Sequence, residues 1–329
     1  GGYLVSLPRW GNDRGAVVWG SPSSGATGTI SSANALIGSV SGCYYYCYGD
    51  RVGSGGVLAL TGGNYLVSSP YWSNGGFTNA GAATWGSATT GVVGAITSTN
   101  SLVGFRSFDQ VSSSGIKALQ GGNYYLIGSS NWGNDTNYYA GALTWSPASQ
   151  GISGSITSSN SLIGSSSDQL GSTSLLASGD YVLLAPNWGG SKGAVARFTP
   201  SQSLAGLTIT STNALVGATT NTRLGSGFKQ LLNGDYLVAS QLSTTYSGGW
   251  SLVRSTSGLQ GILEVSSLNS LLGLYNNDYI HYGTPRELLT ADGASSFNRL
   301  VLTTPNWDGG AGAVSLINLA NGLSGRISP

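Results

Sequence analysis

The sequence predicts an all-β fold, a six-bladed β-propeller of four-stranded antiparallel blades, and three observations carry that expectation. A unit of about 60 residues recurs six times along the chain. Each unit breaks into four short apolar segments separated by Gly, Asn and Asp, with no helical periodicity between them. Trp and Tyr return at fixed places in the unit, as expected of rings that bury about 150–250 Å² each between packed strands. The alternative is a stacked β-solenoid, but its coils need only about 20–25 residues, less than half the unit seen here. The chain is expected to be a single domain over 1–329, with approximate blades 1–48, 49–107, 108–166, 167–218, 219–274 and 275–329.

The first segment is aromatic-apolar and ends in Pro and Trp, as in Tyr3 to Trp10, Tyr65 to Trp72, Tyr181 to Trp188 and Leu300 to Trp307. The copy from Tyr125 to Trp132 lacks the Pro, and the copy beginning Tyr236-Leu237-Val238 loses the Trp. The second segment reads Gly-Ala-x-x-Trp at Gly15, Gly81 and Gly141, with the aromatic replaced near Gly193, Gly249 and Gly312.

The third segment is Gly-x-x-Gly-x-Ile, at Gly25, Gly91 and Gly151, with Leu closing the copy at Gly258, Ile again at Gly322, and a blurred copy at Gly206 to Ile209. It leads into Asn-Ser/Ala-Leu-Val/Ile-Gly at Asn34, Asn100, Asn160, Asn213 and Asn269, with Leu271-Leu272 in the last. These Asn and Gly residues read as turn formers, because Asn bonds its own backbone and Gly accepts positive φ. The fourth segment begins near Asp50, Asp109, Asp168 and Asp278 and runs through apolar pieces such as Val57 to Leu60. It returns to the first through Gly63-Asn64, Gly122-Asn123, Gly179-Asp180 or Gly234-Asp235, a hairpin signal.

The chain opens on a first segment and stops within a third, so one fourth-type strand is missing from six full sets. Gly1 stands where an initiator Met would be, and there is no Met anywhere, which reads as a processed product. The polypeptide is expected to continue past Pro329 and supply the strand.

Composition narrows the function. Charged residues are 8% of the chain, against roughly 25% in ordinary soluble proteins, so its surface is largely hydroxyl and amide. The 40% hydrophobic content excludes disorder. A net charge of +1 with scattered Lys and Arg gives no basic stripe for phosphates, which excludes nucleic acid as a partner. No apolar run reaches the roughly 18 residues of a membrane helix, so no membrane insertion is expected.

The sequence carries no recognisable catalytic constellation. His281, the sole histidine, reads as a loop histidine beside tyrosines, and no Gly-x-Ser-x-Gly turn accompanies it. Asp50, Asp109, Asp168 and Asp278 hold one repeat position, where a carboxylate capping turn N–H groups is the plainer reading. Calcium needs several alternating Asp or Asn, a spacing not present here. Cys43 and Cys47 are spaced for a local disulfide or two buried thiols, and are too few for a closed zinc site. No catalytic residue, metal or cofactor is expected.

The motifs Gly-Asn-Tyr-Leu-Val-x-Ser-Pro-x-Trp at Gly63, Ala-Gly-Ala-x-Thr-Trp-Gly at Ala80 and Gly-x-x-Gly-x-Ile-x-Ser-x-Asn-Ser-Leu-Val-Gly at Gly91, with Asp-Gln-Val at Asp109, resemble repeats of very large bacterial surface proteins, including filamentous-haemagglutinin-like adhesins. The resemblance covers nearly the whole chain and implies secretion and a place outside the cell or at its surface. It brings no catalytic residues. The unit holding Gln241 to Trp250 departs most from the pattern.

The expectation is therefore a non-enzymatic extracellular structural or adhesive repeat module, a segment or subunit of a surface fibre, whose partners are copies of itself or other surface proteins. The alternative is a lectin-like propeller that stacks glycans on loop tyrosines, with Tyr44, Tyr45, Tyr46, Tyr71, Tyr138 and Tyr139 as ligand-binding candidates.

Overall fold

The computed structural model describes residues 2–42, 49–289 and 295–327, and in these the fold is all-β, with six sheets built on six repeats. Contacts divide the chain into two compact units, one of residues 1–172 with 199–208, the other of residues 173–198 with 209–329.

In the first unit the strands are β1 (Tyr3–Leu7), β2 (Ala16–Gly20), β3 (Ala35–Ile37), β4 (Val57–Ala59), β5 (Tyr65–Ser69), β6 (Ala82–Gly86), β7 (Gly94–Ala95), β8 (Ser101–Val103), β9 (Gly115–Leu119), β10 (Tyr124–Ser129), β11 (Ala142–Pro147), β12 (Gly154–Ser155) and β13 (Ser161–Ile163). They form sheets ordered β1-β2-β3-β7, β4-β5-β6-β8-β12 and β9-β10-β11-β13. The predicted hairpin from the fourth segment into the first is present: β4 pairs antiparallel with β5, Leu58 opposite Leu66, across the turn that ends at Asn64.

Four antiparallel strands, as expected of each repeat, make up the whole sheet β9-β10-β11-β13 and the β4-β5-β6-β8 part of the second sheet, but an additional parallel strand was not expected. The third segment leaves its own repeat and pairs in parallel with the preceding one, Leu36 opposite Gly94 and Leu102 opposite Gly154. Its leading glycine explains why. Gly94, Gly154, Gly261 and Gly325 take φ of 90°, 87°, 102° and 106°, a region closed to L side chains. In the blurred repeat Leu207 holds that place, and no strand forms there.

The second unit holds β14 (Ser172–Leu175, straddling the boundary), β15 (Tyr181–Ala185), β16 (Ala194–Phe198), β17 (Leu215–Gly217), β18 (Leu224–Gln230), β19 (Tyr236–Ser240), β20 (Gly249–Val253), β21 (Gly261–Leu263), β22 (Ser270–Leu272), β23 (Thr284–Leu289), β24 (Ser295–Thr304), β25 (Ala313–Asn318) and β26 (Gly325–Arg326). Its sheets run β14-β15-β16-β17-β21, β18-β19-β20-β22-β26 and β23-β24-β25. The same parallel lacing recurs, Leu215 opposite Gly261 and Leu271 opposite Gly325.

Successive sheets pack face to face within each unit. Strand alternation sends Leu36 and Val17 of one sheet against Tyr65, Val67 and Trp72 of the next, and Leu66, Ala83 and Leu102 against Tyr125, Ile127 and Trp132. Val182 and Val195 meet Tyr236 and Val238 likewise, and Leu237, Trp250 and Leu271 meet Leu300 and Leu302. The repeat aromatics Tyr65, Trp72, Tyr125, Trp132 and Tyr236 are therefore inter-sheet core, whereas Tyr3 of the first repeat is exposed.

Buried polar side chains on these strands are matched across the register. Thr84 lies opposite Ser101 with their hydroxyls 2.7 Å apart, as do Thr144 and Ser161, and Ser251 and Ser270. In the first repeat the same pair is Val18 opposite Ala35. Both members are polar or both apolar, which avoids an unpaired buried hydroxyl.

Candidate functional site

The loop ends of the sheets carry the candidate surface, and their rigidity comes from the repeat aspartates. Asp50 accepts hydrogen bonds from the Ser39 and Val40 N–H groups at 2.7 and 2.8 Å, and from Ser73 N–H of the following repeat at 2.9 Å. Asp109 does the same with Phe105, Arg106 and, across to the following repeat, Gly133. Asp278 takes Tyr275 N–H and Asp308 N–H, and Asp168 takes Ser165 N–H. Each carboxylate closes its own turn, and at Asp50, Asp109 and Asp278 it also pins the next repeat. Burial pushes the Asp50 and Asp109 carboxyls above the usual carboxylate range, against the pull of these donors.

Thr222 fills the aspartate position in the fourth repeat, where its hydroxyl bonds the Thr219 carbonyl at 2.8 Å. The Asn turns are equally explicit. Asn34, Asn100, Asn160, Asn213 and Asn269 each accept from the N–H three residues earlier at 2.8–3.0 Å.

Non-glycine residues at positive φ flank the aspartates. Phe108, Ser167, Asn221 and Asn277 take φ of 66–69°, and Gln110, Gln169, Arg223 and Tyr279 take 46–53°. Backbone held in this region by hydrogen bonds fixes the direction in which each Cα–Cβ bond leaves the loop.

In the first unit these loops present a cleft of about 210 Å³ lined by Arg106, Phe108, Asn131, Tyr138 and Tyr139 among others. The Arg106 guanidinium sits 4.4 Å from the Tyr138 ring centroid and donates to the Asn134 carbonyl. Phe108, Tyr138 and Tyr139 are all exposed. The predicted candidates Tyr138 and Tyr139 thus share one cleft. Tyr71 is exposed on the turn after β5 and does not line it. Tyr44, Tyr45, Tyr46, Cys43 and Cys47 lie outside the described residues.

The second unit has a counterpart that sequence reasoning missed. Tyr246 stands in the column of Tyr139 and Tyr279 in that of Gln110, and their rings lie 5.8 Å apart. Tyr279 stacks on Tyr282 at 5.9 Å. Aligning the loop positions repeat by repeat is the signal that finds them. A polar cleft of about 340 Å³ adjoins Tyr246, lined by Asn221, Arg223, Gln241, Ser243 and Thr244.

His281 is a correction to the expected loop histidine. It is buried, its ring 4.1 Å from Tyr282, and neither ring nitrogen has a hydrogen-bond partner. Burial pulls its pKa down to about 4. The tight fit has a backbone cause, since Gly248 opposite it at φ 69° leaves room for no Cβ.

A third cleft, about 600 Å³, opens between the first two sheets and is lined by Tyr3, Trp19, Asn64 and Tyr65 among others. Among the described residues no three His, Cys, Asp or Glu side chains converge.

Compared with known proteins, the chain matches a family described as a repeat of unknown function (DUF5650) over residues 1–45, 59–113, 118–172, 175–226, 230–282 and 298–329. The chain belongs to this family. In each inner match the family repeat opens beside the hairpin between fourth and first segments and closes beyond the aspartate turn or its Thr222 substitute. No curated protein matches the chain.

Proposed function

We propose that the chain is a non-enzymatic extracellular structural or adhesive module whose sheets act as propeller-like blades, presenting their loop ends as a contact surface. One observation carries this reading: exposed aromatic side chains stand on loops made rigid by buried aspartates and left-handed residues. Large rings fixed in advance contribute contact area at little entropic cost, and exposed apolar groups on a soluble domain mark interaction surfaces. The low charge and hydroxyl-rich composition suit a surface that meets another surface without strong electrostatic steering. The adhesin reading itself draws on the motif resemblance alone.

The test is binding of the purified chain to immobilised matrix proteins and to cells. Replacing Phe108 and Tyr139 together by Ser should lower the bound fraction at least tenfold with the circular dichroism spectrum unchanged. Undiminished binding by that variant ends the loop-end reading.

The lectin-like alternative is favoured by the cleft holding Trp19, Tyr3 and Tyr65 with Asn64 at its edge, since rings stack on sugar faces and an amide bonds hydroxyls. A glycan array with no hit on the wild type removes it. A hit lost in Trp19→Ala supports it.

A further inference from the structure

Five repeats share one backbone bond beside the aspartate turn. The N–H of Arg51, Gln110, Gln169, Arg223 or Tyr279 donates to the carbonyl of Asp13, Asn79, Tyr139, Ser191 or Tyr246. That bond sets each pair in one register, so the turns can be compared residue by residue. Arginine stands there twice. In the first repeat it meets an acid, Arg51 Nη2 donating to Asp13 at 2.8 Å. In the fourth repeat Ser191 holds the place of that acid, and Thr222 holds the place of the turn aspartate. Residues 186–198, 215–234 and 236–250, which surround this turn, contain no Asp or Glu. Among the described residues neither Arg223 nor Lys192, the neighbour of Ser191, forms an ion pair. The turn therefore holds two cations with no acid against them, a local positive potential that draws an anion.

The polar cleft of about 340 Å³ beside Tyr246 contains this guanidinium. Arg223 Nη1 donates to Gln241 Oε1 at 3.1 Å, which orients the group. Its Nε is buried without an acceptor, and the Ser243 hydroxyl is buried without any partner. Buried polar groups left unmet carry a desolvation cost that a ligand can relieve. The Nε and Nη2 edge of a guanidinium is one that a carboxylate grips through two parallel bonds. The rest of the lining is amide, hydroxyl and one ring: Asn221, Gln241, Thr244 and the exposed Tyr246, packed edgewise to Tyr279 at 5.8 Å. The volume lies at the lower end of small-molecule sites, about 300–1,000 Å³.

We propose that this cleft binds a carboxylate-bearing sugar, a uronic or sialic acid. Arg223 takes the carboxylate, Tyr246 covers a face of the ring, and Asn221, Ser243 and Thr244 meet its hydroxyls. An acidic peptide side chain would satisfy Arg223 equally, but it would leave the hydroxyl and amide lining unused, so the sugar fits better. The site lies wholly in the second unit. It does not depend on the adhesive reading, whose test residues Phe108 and Tyr139 belong to the first.

Isothermal titration calorimetry of the 329-residue chain with sodium glucuronate and with N-acetylneuraminate is the test, against glucose, inorganic phosphate and a tetraglutamate peptide. At least one sugar acid should bind at one site per chain, at least tenfold tighter than any of the three comparison compounds. Ser191→Asp recreates the Asp13 and Arg51 pair on nearly the same backbone, φ 64° against 62°. It supplies an internal acid while leaving Arg223 in place, and should weaken sugar-acid binding at least tenfold with the circular dichroism spectrum unchanged. Arg223→Gln should weaken it as much by removing the charge, so a folding defect in one variant leaves the other to decide. Absence of binding by both sugar acids overturns the proposal. So do undiminished binding in these variants and phosphate or peptide binding as tight as the sugar acid. The surface-binding assay keeps the two readings apart. Failed sugar-acid binding with surface binding intact sinks only this site, whereas sugar-acid binding without surface binding sinks only the adhesive role.

Discussion

Replacing Gly81 by alanine probes the closest backbone approach in the first unit. Gly81 precedes β6 at φ 77° and is bridged in parallel register to Val111, in the segment just after the aspartate turn. A Cβ there would sit 2.2 Å from the Val111 nitrogen and 2.6 Å from the Gln110 carbonyl carbon, roughly 1 Å inside ordinary contact. Those are backbone atoms, so no rotamer relieves the overlap. The segment has to move, which breaks the Val111 N–H bond to Ala80 and the Gln110 N–H bond to Asn79, 3.0 and 3.1 Å long. The left-handed backbone costs about 1–2 kcal/mol with any L side chain. Two lost backbone bonds add about 1 kcal/mol each, and partial exposure of the fully buried Val111 adds about 1 kcal/mol. The expected loss is about 4–5 kcal/mol.

Gly62 provides the comparison, since it shares φ 77° but has no atom within 4 Å of its absent Cβ. Gly62→Ala should lose only the conformational part, about 1–2 kcal/mol. Urea denaturation followed by tryptophan fluorescence measures both variants in the same unit. Equal losses, within about 0.5 kcal/mol, would refute the argument that close approach selects glycine in this column.

Other expectations follow from the same reasoning. Ser101→Ala strips Thr84 of its buried partner and should cost about 1–2 kcal/mol, while Thr84→Val with Ser101→Ala imitates the Val18 and Ala35 pair and should recover most of it, as read from a double-mutant cycle by denaturation. His281, held neutral by burial at a pKa of about 4 against the usual 6.5 of a solvated imidazole, contributes stability that is complete above 6.5. That stability is lost as pH falls through about 4, on the order of 3 kcal/mol. The melting temperature of wild type minus that of His281→Phe should therefore fall with acidification, and a flat difference counts against the buried neutral ring. Asp109→Asn offers one acceptor oxygen to three N–H donors and should cost about 1–3 kcal/mol at neutral pH. The Asp109 pKa is raised, so the wild type should gain on that variant as pH drops through the raised value toward 3.8, which a pH series of denaturation curves checks.

Much of the fold was legible because it is local. The hairpin at Asn64, the turns closed by Asn100 and its equivalents, and the capping by Asp50 and Asp109 all bond residues close in sequence or at fixed repeat offsets. The pairing of the third segment with the preceding repeat was not legible. Leu36 and Gly94 lie far apart in the chain, each strand is two or three residues long, and no periodicity distinguishes one partner sheet from another. The glycine at φ 90° was visible in the motif, but its role shows only once the register is known. The candidate site divides similarly. Tyr138 and Tyr139 were singled out as loop residues, whereas Arg106 and Phe108 join them only because the turn around Asp109 folds them into one cleft.

The sequence alone determined that this chain is a β-rich array of six repeats with glycine, asparagine and aspartate at its turns, because turn chemistry and strand alternation act over a few residues. Tertiary structure decided which strand laces which sheet, that His281 is buried rather than exposed, and that Tyr3 is exposed while Tyr65 and Tyr125 are covered. Identical motifs acquire different burial according to whether another sheet lies against them, and that contact is made between repeats, so no single repeat encodes it.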